Sequence, residues 1–239
     1  VVFRDQHLDP GQQVALTARL GEVEHYPLGG FALPGHEEIL VVSNIVENGK
    51  PIGLVDAGRN WHSDMLFTEK PPRCSLLYSL EVPHQEGQSI GDTLFASTAV
   101  AYDNLPESMK TRLNGLKARH SFRTYAATKS DGREKVGDEF ADVIHPLVRT
   151  HPITGRKCLY LSHSLTQKIG DLDQAQTRQL AHDLIEHITS ERHVYRHSWR
   201  VGDLVIWDNC STMHRAIFDY ALPQRRRMHR TTVAGGRPF

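Results

Sequence analysis

The chain is poor in cysteine, in net charge and in long apolar runs. Its three cysteines, Cys74, Cys158 and Cys210, are an odd number with no Cys-x-x-Cys pair. That argues against a disulfide framework and fits a reducing, cytoplasmic setting. Lys and Arg total 28, as do Asp and Glu, so the formal net charge is +0 and nothing global favours nucleic acid. No apolar run approaches the roughly 18 residues of a membrane span. The opening Val1-Val2-Phe3-Arg4-Asp5 reads as a strand rather than as a signal peptide, which needs a basic stretch before a long apolar one. With 39% hydrophobic and 23% charged residues, the composition is ordinary for a globular protein. A chain of 239 residues fits one domain with a sizeable core, or at most two small ones.

Strand signals dominate what is present. Ile39–Val42 and Leu204–Trp207 are apolar and rich in β-branched residues. Ser75–Leu80, Lys157–Leu161 and His193–Trp199 are further short strands, and Arg227–Val233 reads as a closing strand. Helices are fewer. Asp9-Pro10 opens one that Gly21 stops. Leu105-Pro106-Glu107 opens a second, ending near Gly115. From about Asp173 to Thr189, Leu180, Leu184 and Ile188 make one apolar stripe. Short strands, frequent turns and few helices predict a mostly β protein, a sandwich or jelly roll with peripheral helices. Thr124–Asp142 reads as a mobile loop or lid, and Val46–Asn60 as a loop leading into His62.

The chemistry is concentrated in Trp61-His62-Ser63-Asp64 and, far downstream, His214. On an extended strand, residues two apart share a face, so His62 and Asp64 can reach one metal. Two imidazoles and a carboxylate on one face of an octahedral Fe(II) leave positions open for substrate and oxygen. With 15 histidines in the chain, a single His is a weak signal. Arg225-Arg226-Arg227 strengthens the reading. On a strand, Arg226, Met228 and Arg230 share one face, and two inward cations are costly without anions to meet them. Arginine also binds carboxylates through two parallel bonds, which suits a dicarboxylate such as 2-oxoglutarate. Gly91-Asp92-Thr93 is a turn whose Thr hydroxyl could bond a carboxylate.

These stretches together resemble the taurine dioxygenase / 2,4-dichlorophenoxyacetate dioxygenase family of Fe(II)- and 2-oxoglutarate-dependent oxygenases. The resemblance runs in order through Trp61–Asp64, Gly91–Phe95, His145–Pro152, Gly202–Asn209, His214-Arg215 and Arg225–Arg230, nearly the whole chain. It implies a double-stranded β-helix (jelly roll) and a single dioxygenase domain over residues 1–239. The strand at Val1 implies that the family's N-terminal segment is lacking. His62, Asp64 and His214 would bind Fe(II), and Thr93 and Arg226 would hold the distal carboxylate of 2-oxoglutarate. Arg230 would sit near the substrate's anionic group or support the cosubstrate, with Trp61 and Trp207 flanking the site. Phe122, Tyr160 and Phe218 are candidate pocket walls.

Where the taurine enzymes place histidines, this chain has Glu24 and Tyr26, with His25 usable only after a register shift. That counts against taurine itself and leaves Tyr26 a candidate substrate contact, while Val194–Asn209 and Thr212–Ala216 look more like the aryloxyalkanoate-degrading branch. The implied reaction uses O2 and 2-oxoglutarate to hydroxylate a C–H bond of a small anionic substrate, releasing succinate and carbon dioxide. Ether cleavage follows where the carbon bears oxygen. Oxidation of taurine, an alkylsulfonate or a sulfate ester is the alternative. Further off stand a non-catalytic cupin-like binding module and a zinc hydrolase, which would leave the arginines unexplained. Neither nucleic acid nor membrane is expected as a partner, and homo-oligomerisation is left open.

Overall fold

The computed structural model describes residues 1–27, 30–55, 58–127 and 137–239. Its larger antiparallel sheet runs, in spatial order, Val2–Phe3, Leu204–Asp208, Cys74–Glu81, Arg227–Val233, His36–Ser43 and Ala32–Leu33. Val23–Glu24 also pairs with the end of Arg227–Val233. A smaller sheet orders Val194–His197, Thr93–Ser97 and Thr212–Ala216. Sequence neighbours change sheet: Leu204–Asp208 lies in the large one and Thr212–Ala216 in the small one, with Asn209–Ser211 as the corner. This is the double-stranded β-helix, with inward side chains of both sheets meeting in one core.

That core contains Leu40, Val42, Leu77, Val205, Trp207 and Met228 from the large sheet, Phe95 from the small one, and the fully buried Trp199. Arg227–Val233 is central because it pairs with both Cys74–Glu81 and His36–Ser43. The Pro10–Leu20 helix starts on an Asp9 capping box and covers this strand from outside. There Gln13 Nε2 donates to the His229 carbonyl (3.0 Å), and the Thr17 and Thr231 hydroxyls pair at 2.7 Å. The Gln174–Ile188 helix, capped by Asp173, buries Leu180, Leu184 and Ile188 against Leu147, Leu159, Leu161 and Met213.

Several expectations need adjusting. A short helix at Thr98–Asp103, started by the Ser97 side chain, has no strong apolar period and was not foreseen. Part of the expected 124–142 loop is ordered as the end of the Phe122–Ala126 helix and a turn at Gly137–Glu139, with residues 128–136 outside the described part. The 46–60 stretch opens with a hairpin, Val46–Glu47 against Lys50–Pro51, and residues 56–57 lie outside the described part. No helix among the described residues is long and apolar enough to cross a membrane.

Candidate active site

His62 and Asp64 do not occupy a regular strand. His62 makes a single antiparallel bridge to His214, with N–H to carbonyl bonds of 3.1 and 2.8 Å in the two directions. The chain then turns, and Met65 takes a left-handed φ of 52°. The bridge and the turn, rather than the two-residue strand period, bring the side chains together. His62 Nε2 and His214 Nε2 each stand 3.9 Å from Asp64 Oδ1. Their rings are 4.2 Å apart.

The protonation of this cluster suits a cation. His62 Nδ1 donates to the Asn60 carbonyl (2.8 Å), so a neutral ring carries its lone pair on Nε2, facing Asp64. Burial pushes His214 down to about 3, aided by His62, so its imidazole is neutral at physiological pH. Burial alone would raise Asp64, but Arg230, the two imidazoles and a bond from Ser75 outweigh it and hold the carboxyl well below the usual range. Two imidazoles whose Nε2 atoms face an ionised, buried carboxylate are the donor set of a divalent transition metal, so these residues fit Fe(II).

The opposite oxygen, Asp64 Oδ2, accepts from Ser75 Oγ (2.6 Å). Ser75 in turn accepts from Asn209 Nδ2 (2.9 Å), and Asn209 Oδ1 accepts from Trp207 Nε1 (2.9 Å). Nothing in the sequence marked Ser75, a small polar residue at an inward strand position.

Of the three consecutive arginines, only Arg226 is buried. Arg225 forks outward onto Glu81, at 2.8 and 3.3 Å. The Arg226 guanidinium lies 6.0 Å from the Trp199 ring and 5.9 Å from the Tyr220 ring, and its Nε has no hydrogen-bond partner among the described residues. Burial lowers its pKa, and Tyr220 opposes that shift. Trp199 Nε1 donates to Thr93 Oγ1 (3.0 Å), so both residues expected to hold a carboxylate meet the same indole. Among the described residues, no acceptor takes the hydrogen of the Thr93 hydroxyl. Gly91, at φ 77°, has no room for a Cβ, which would stand 2.9 Å from the Tyr220 ring. Asp92 accepts from Arg196 Nε (2.6 Å) and Ser198 Oγ (2.9 Å), which fixes the start of the Thr93 strand.

A cavity opens onto the cluster. Met65, Phe67, Phe122 and Leu165 form its apolar wall, and Tyr26, Arg59, Ser162 and Arg230 add polar groups. Arg230 Nη1 reaches Asp64 Oδ1 (3.1 Å), and its guanidinium sits 5.3 Å from the Tyr26 ring. Trp61 lines the cavity, and Trp207 packs on His214 at 4.8 Å. Thr93 and Arg226 lie outside the cavity walls. Tyr160 is a correction: it is fully buried among Leu66, Phe67, Phe122 and Leu165, under the Arg149 guanidinium, because the chain after Leu159 turns it inward. Phe218 is a second correction, since it supports Arg59 (4.1 Å) rather than lining the cavity. His25 is exposed, and Glu24 is the residue facing Arg230.

His151, Asp208 and Cys210 form a second group within ligand distance. His151 Nδ1 accepts from the Ile153 and Thr154 backbone (3.2 and 3.1 Å), so Nε2 bears the proton and donates to Asp208 (2.8 Å). With burial pushing the Cys210 thiol up to about 12, this is a closed hydrogen-bond network rather than a ligand set.

The triad offers donors for a divalent transition metal, and the buried Arg226, just before the closing strand, offers a fork for a carboxylate. The chain belongs to the family described as "Taurine catabolism dioxygenase TauD, TfdA family", whose model matches residues 1–232. It is 34% identical to the pentalenolactone F synthase of Streptomyces arenae, over 92% of this chain and 77% of that one. It is 35% identical to the alpha-ketoglutarate-dependent 2,4-dichlorophenoxyacetate dioxygenase of Burkholderia sp. (strain RASC), over 99% of this chain and 82% of the relative. The crystal structure of AAD-2 with Mn(II) and N-oxalylglycine superposes with a TM-score of 0.81 at 35% identity, covering 99% of this chain and 84% of that one. This chain is thus a 2-oxoglutarate-dependent dioxygenase rather than a binding module or a hydrolase.

Proposed function

We propose that this dioxygenase hydroxylates an aryloxyalkanoate-like carboxylate at the carbon beside its ether oxygen, within one domain spanning the chain. The observation that carries the reading is the cavity, lined by Arg230 and Tyr26 together with the apolar Phe67 and Phe122. A carboxylate with an aromatic body satisfies both kinds of group at once. The named 2,4-dichlorophenoxyacetate relative supports that choice.

His62, Asp64 and His214 would hold Fe(II) through the two Nε2 atoms and Asp64 Oδ1, the atoms that face one another. Bound Fe(II), with 2-oxoglutarate and O2, supplies hydroxylation of a C–H bond coupled to decarboxylation of the cosubstrate to succinate and carbon dioxide. Arg226 would receive the distal carboxylate with its planar fork, and Thr93 would donate the hydrogen it keeps after accepting from Trp199. Arg230 orients the substrate anion, while Met65, Phe67, Phe122 and Leu165 exclude water and place the reacting carbon. Hydroxylation next to an ether oxygen gives a hemiacetal, which collapses to a phenol and a carbonyl compound.

The test begins with anaerobic titration of Fe(II)-loaded protein with 2-oxoglutarate, followed through the visible charge-transfer band of the chelate. Phenoxyalkanoates, alkylsulfonates and alkyl sulfates are then compared by succinate release. The reading expects the band, and coupled turnover that is best with phenoxyalkanoates. Preference for a sulfonate or sulfate overturns the substrate, and folded, iron-loaded protein without the band overturns the site.

A further inference from the structure

Asp64 meets its surroundings asymmetrically. Oδ1 faces both imidazole Nε2 atoms and Arg230, whereas Oδ2 is turned away to Ser75. Ser75 is fully buried at the centre of the large sheet, in register with Trp207 on one side and Thr232 on the other. Such an inward position ordinarily holds an apolar side chain, because an unpartnered hydroxyl there is costly. Here the hydroxyl is satisfied twice, accepting from Asn209 and spending its single hydrogen on Asp64.

Asn209 is buried at the corner where the chain passes from the large sheet to the small one, five residues before His214. Trp207 Nε1 fixes the orientation of the Asn209 amide, so its NH2 must point at Ser75. The Trp207 ring packs on His214 (4.8 Å) and on Phe95 (5.6 Å). The chain of bonds therefore begins against one proposed ligand and ends on another.

We infer that Trp207, Asn209 and Ser75 form a positioning relay that fixes the rotation of the Asp64 carboxylate, so that Oδ1 alone is presented to the metal. The inference rests on the proposed role of Asp64 as a ligand. With Oδ2 held by Ser75, the carboxylate cannot turn both oxygens to the ion without breaking a buried bond. One-oxygen binding leaves coordination positions for a chelating cosubstrate and for oxygen. Groups that orient metal ligands in this way typically change metal affinity by about 10- to 100-fold when removed.

The test uses Mn(II) affinity, read by electron paramagnetic resonance, and the visible spectrum of the Co(II)-loaded protein. Wild type is compared with Ser75→Ala and Trp207→Phe, and thermal unfolding without metal is recorded alongside. Ser75→Ala should lose roughly 10- to 100-fold in Mn(II) affinity and change the Co(II) spectrum. Trp207→Phe removes the N–H and part of the indole, keeps an aromatic ring beside His214 and should lose less. Should Ser75→Ala fold poorly, Trp207→Phe carries the same test. Unchanged Mn(II) affinity, an unchanged Co(II) spectrum, or lower thermal stability with wild-type affinity overturns the relay. Failure of wild type to bind Mn(II) would instead overturn the ligand assignment on which it rests.

Discussion

Replacing Arg226 tests the cosubstrate assignment most directly. The side chain is buried, Nε has no partner among the described residues, and no carboxylate forms an ion pair with it there. Its neighbours are the Trp199 and Tyr220 rings, and the Trp199 indole N–H donates to the Thr93 hydroxyl. A buried cation without an anion is costly, and a bound carboxylate offsets that cost. Truncating one partner of a buried, charge-assisted pair costs about 2–5 kcal/mol. At 1.4 kcal/mol per tenfold, Arg226→Ala should weaken 2-oxoglutarate binding by roughly 30-fold to several thousandfold. Arg226→Lys keeps the charge but loses the fork and should fall between. The assay is calorimetric titration into Mn(II)-loaded protein with two ligands, 2-oxoglutarate and 2-oxobutyrate, which lacks the distal carboxylate. The loss should appear with the first ligand and vanish with the second. Equal losses with both would show that Arg226 supports the fold and does not read the carboxylate. An independent check follows from the same burial: without ligand, Arg226→Met should be at least as stable as wild type, because an apolar side chain replaces an uncompensated charge.

His62→Ala and Asp64→Ala should each abolish Mn(II) binding and turnover while leaving the far-ultraviolet circular dichroism unchanged, and activity in either would end the metal assignment. Gly58 has φ 87°, and a Cβ there would stand 3.0 Å from His62 Cε1. Gly58→Ala should therefore displace the imidazole and weaken Mn(II) binding, with about 1 kcal/mol or more of backbone strain; wild-type affinity would show that the loop yields freely. Burial, with His145 nearby, pushes His120 down to about 3. Its contribution to stability is complete above the unfolded value near 6.5 and declines as pH falls toward 3, by at most about 1.4 kcal/mol per unit. Urea unfolding between pH 7 and 4 should show a shallower decline in His120→Gln, and an identical slope would place the acid sensitivity elsewhere.

What could be read from the sequence followed from local rules. Asp9 and Asp173 each carry a capping box, so the Pro10–Leu20 and Gln174–Ile188 helices begin where their side chains dictate. The closing strand Arg227–Val233 was legible from its β-branched residues, but its burial does not follow the two-residue period: Arg226 and Met228 are buried and Arg230 half-buried, while His229 and Thr231 on the other face are buried under the Pro10–Leu20 helix. The period misled at His62 and Asp64, where a long-range bridge to His214 and the positive φ of Met65 do the aligning. Neither leaves a trace in a local window. Tyr160 failed for a related reason: an aromatic near a site can face the cavity or the core, and only the register of neighbouring strands decides. Ser75 was invisible because its importance lies in two partners, Asp64 and Asn209, that are distant in sequence or turned toward it by a sheet corner. The residues expected to touch metal and cosubstrate are therefore legible as types in an order, since iron and carboxylate restrict them to His, Asp, Thr and Arg. The groups that aim them can be any side chain with a hydrogen bond to give, and only the fold selects which.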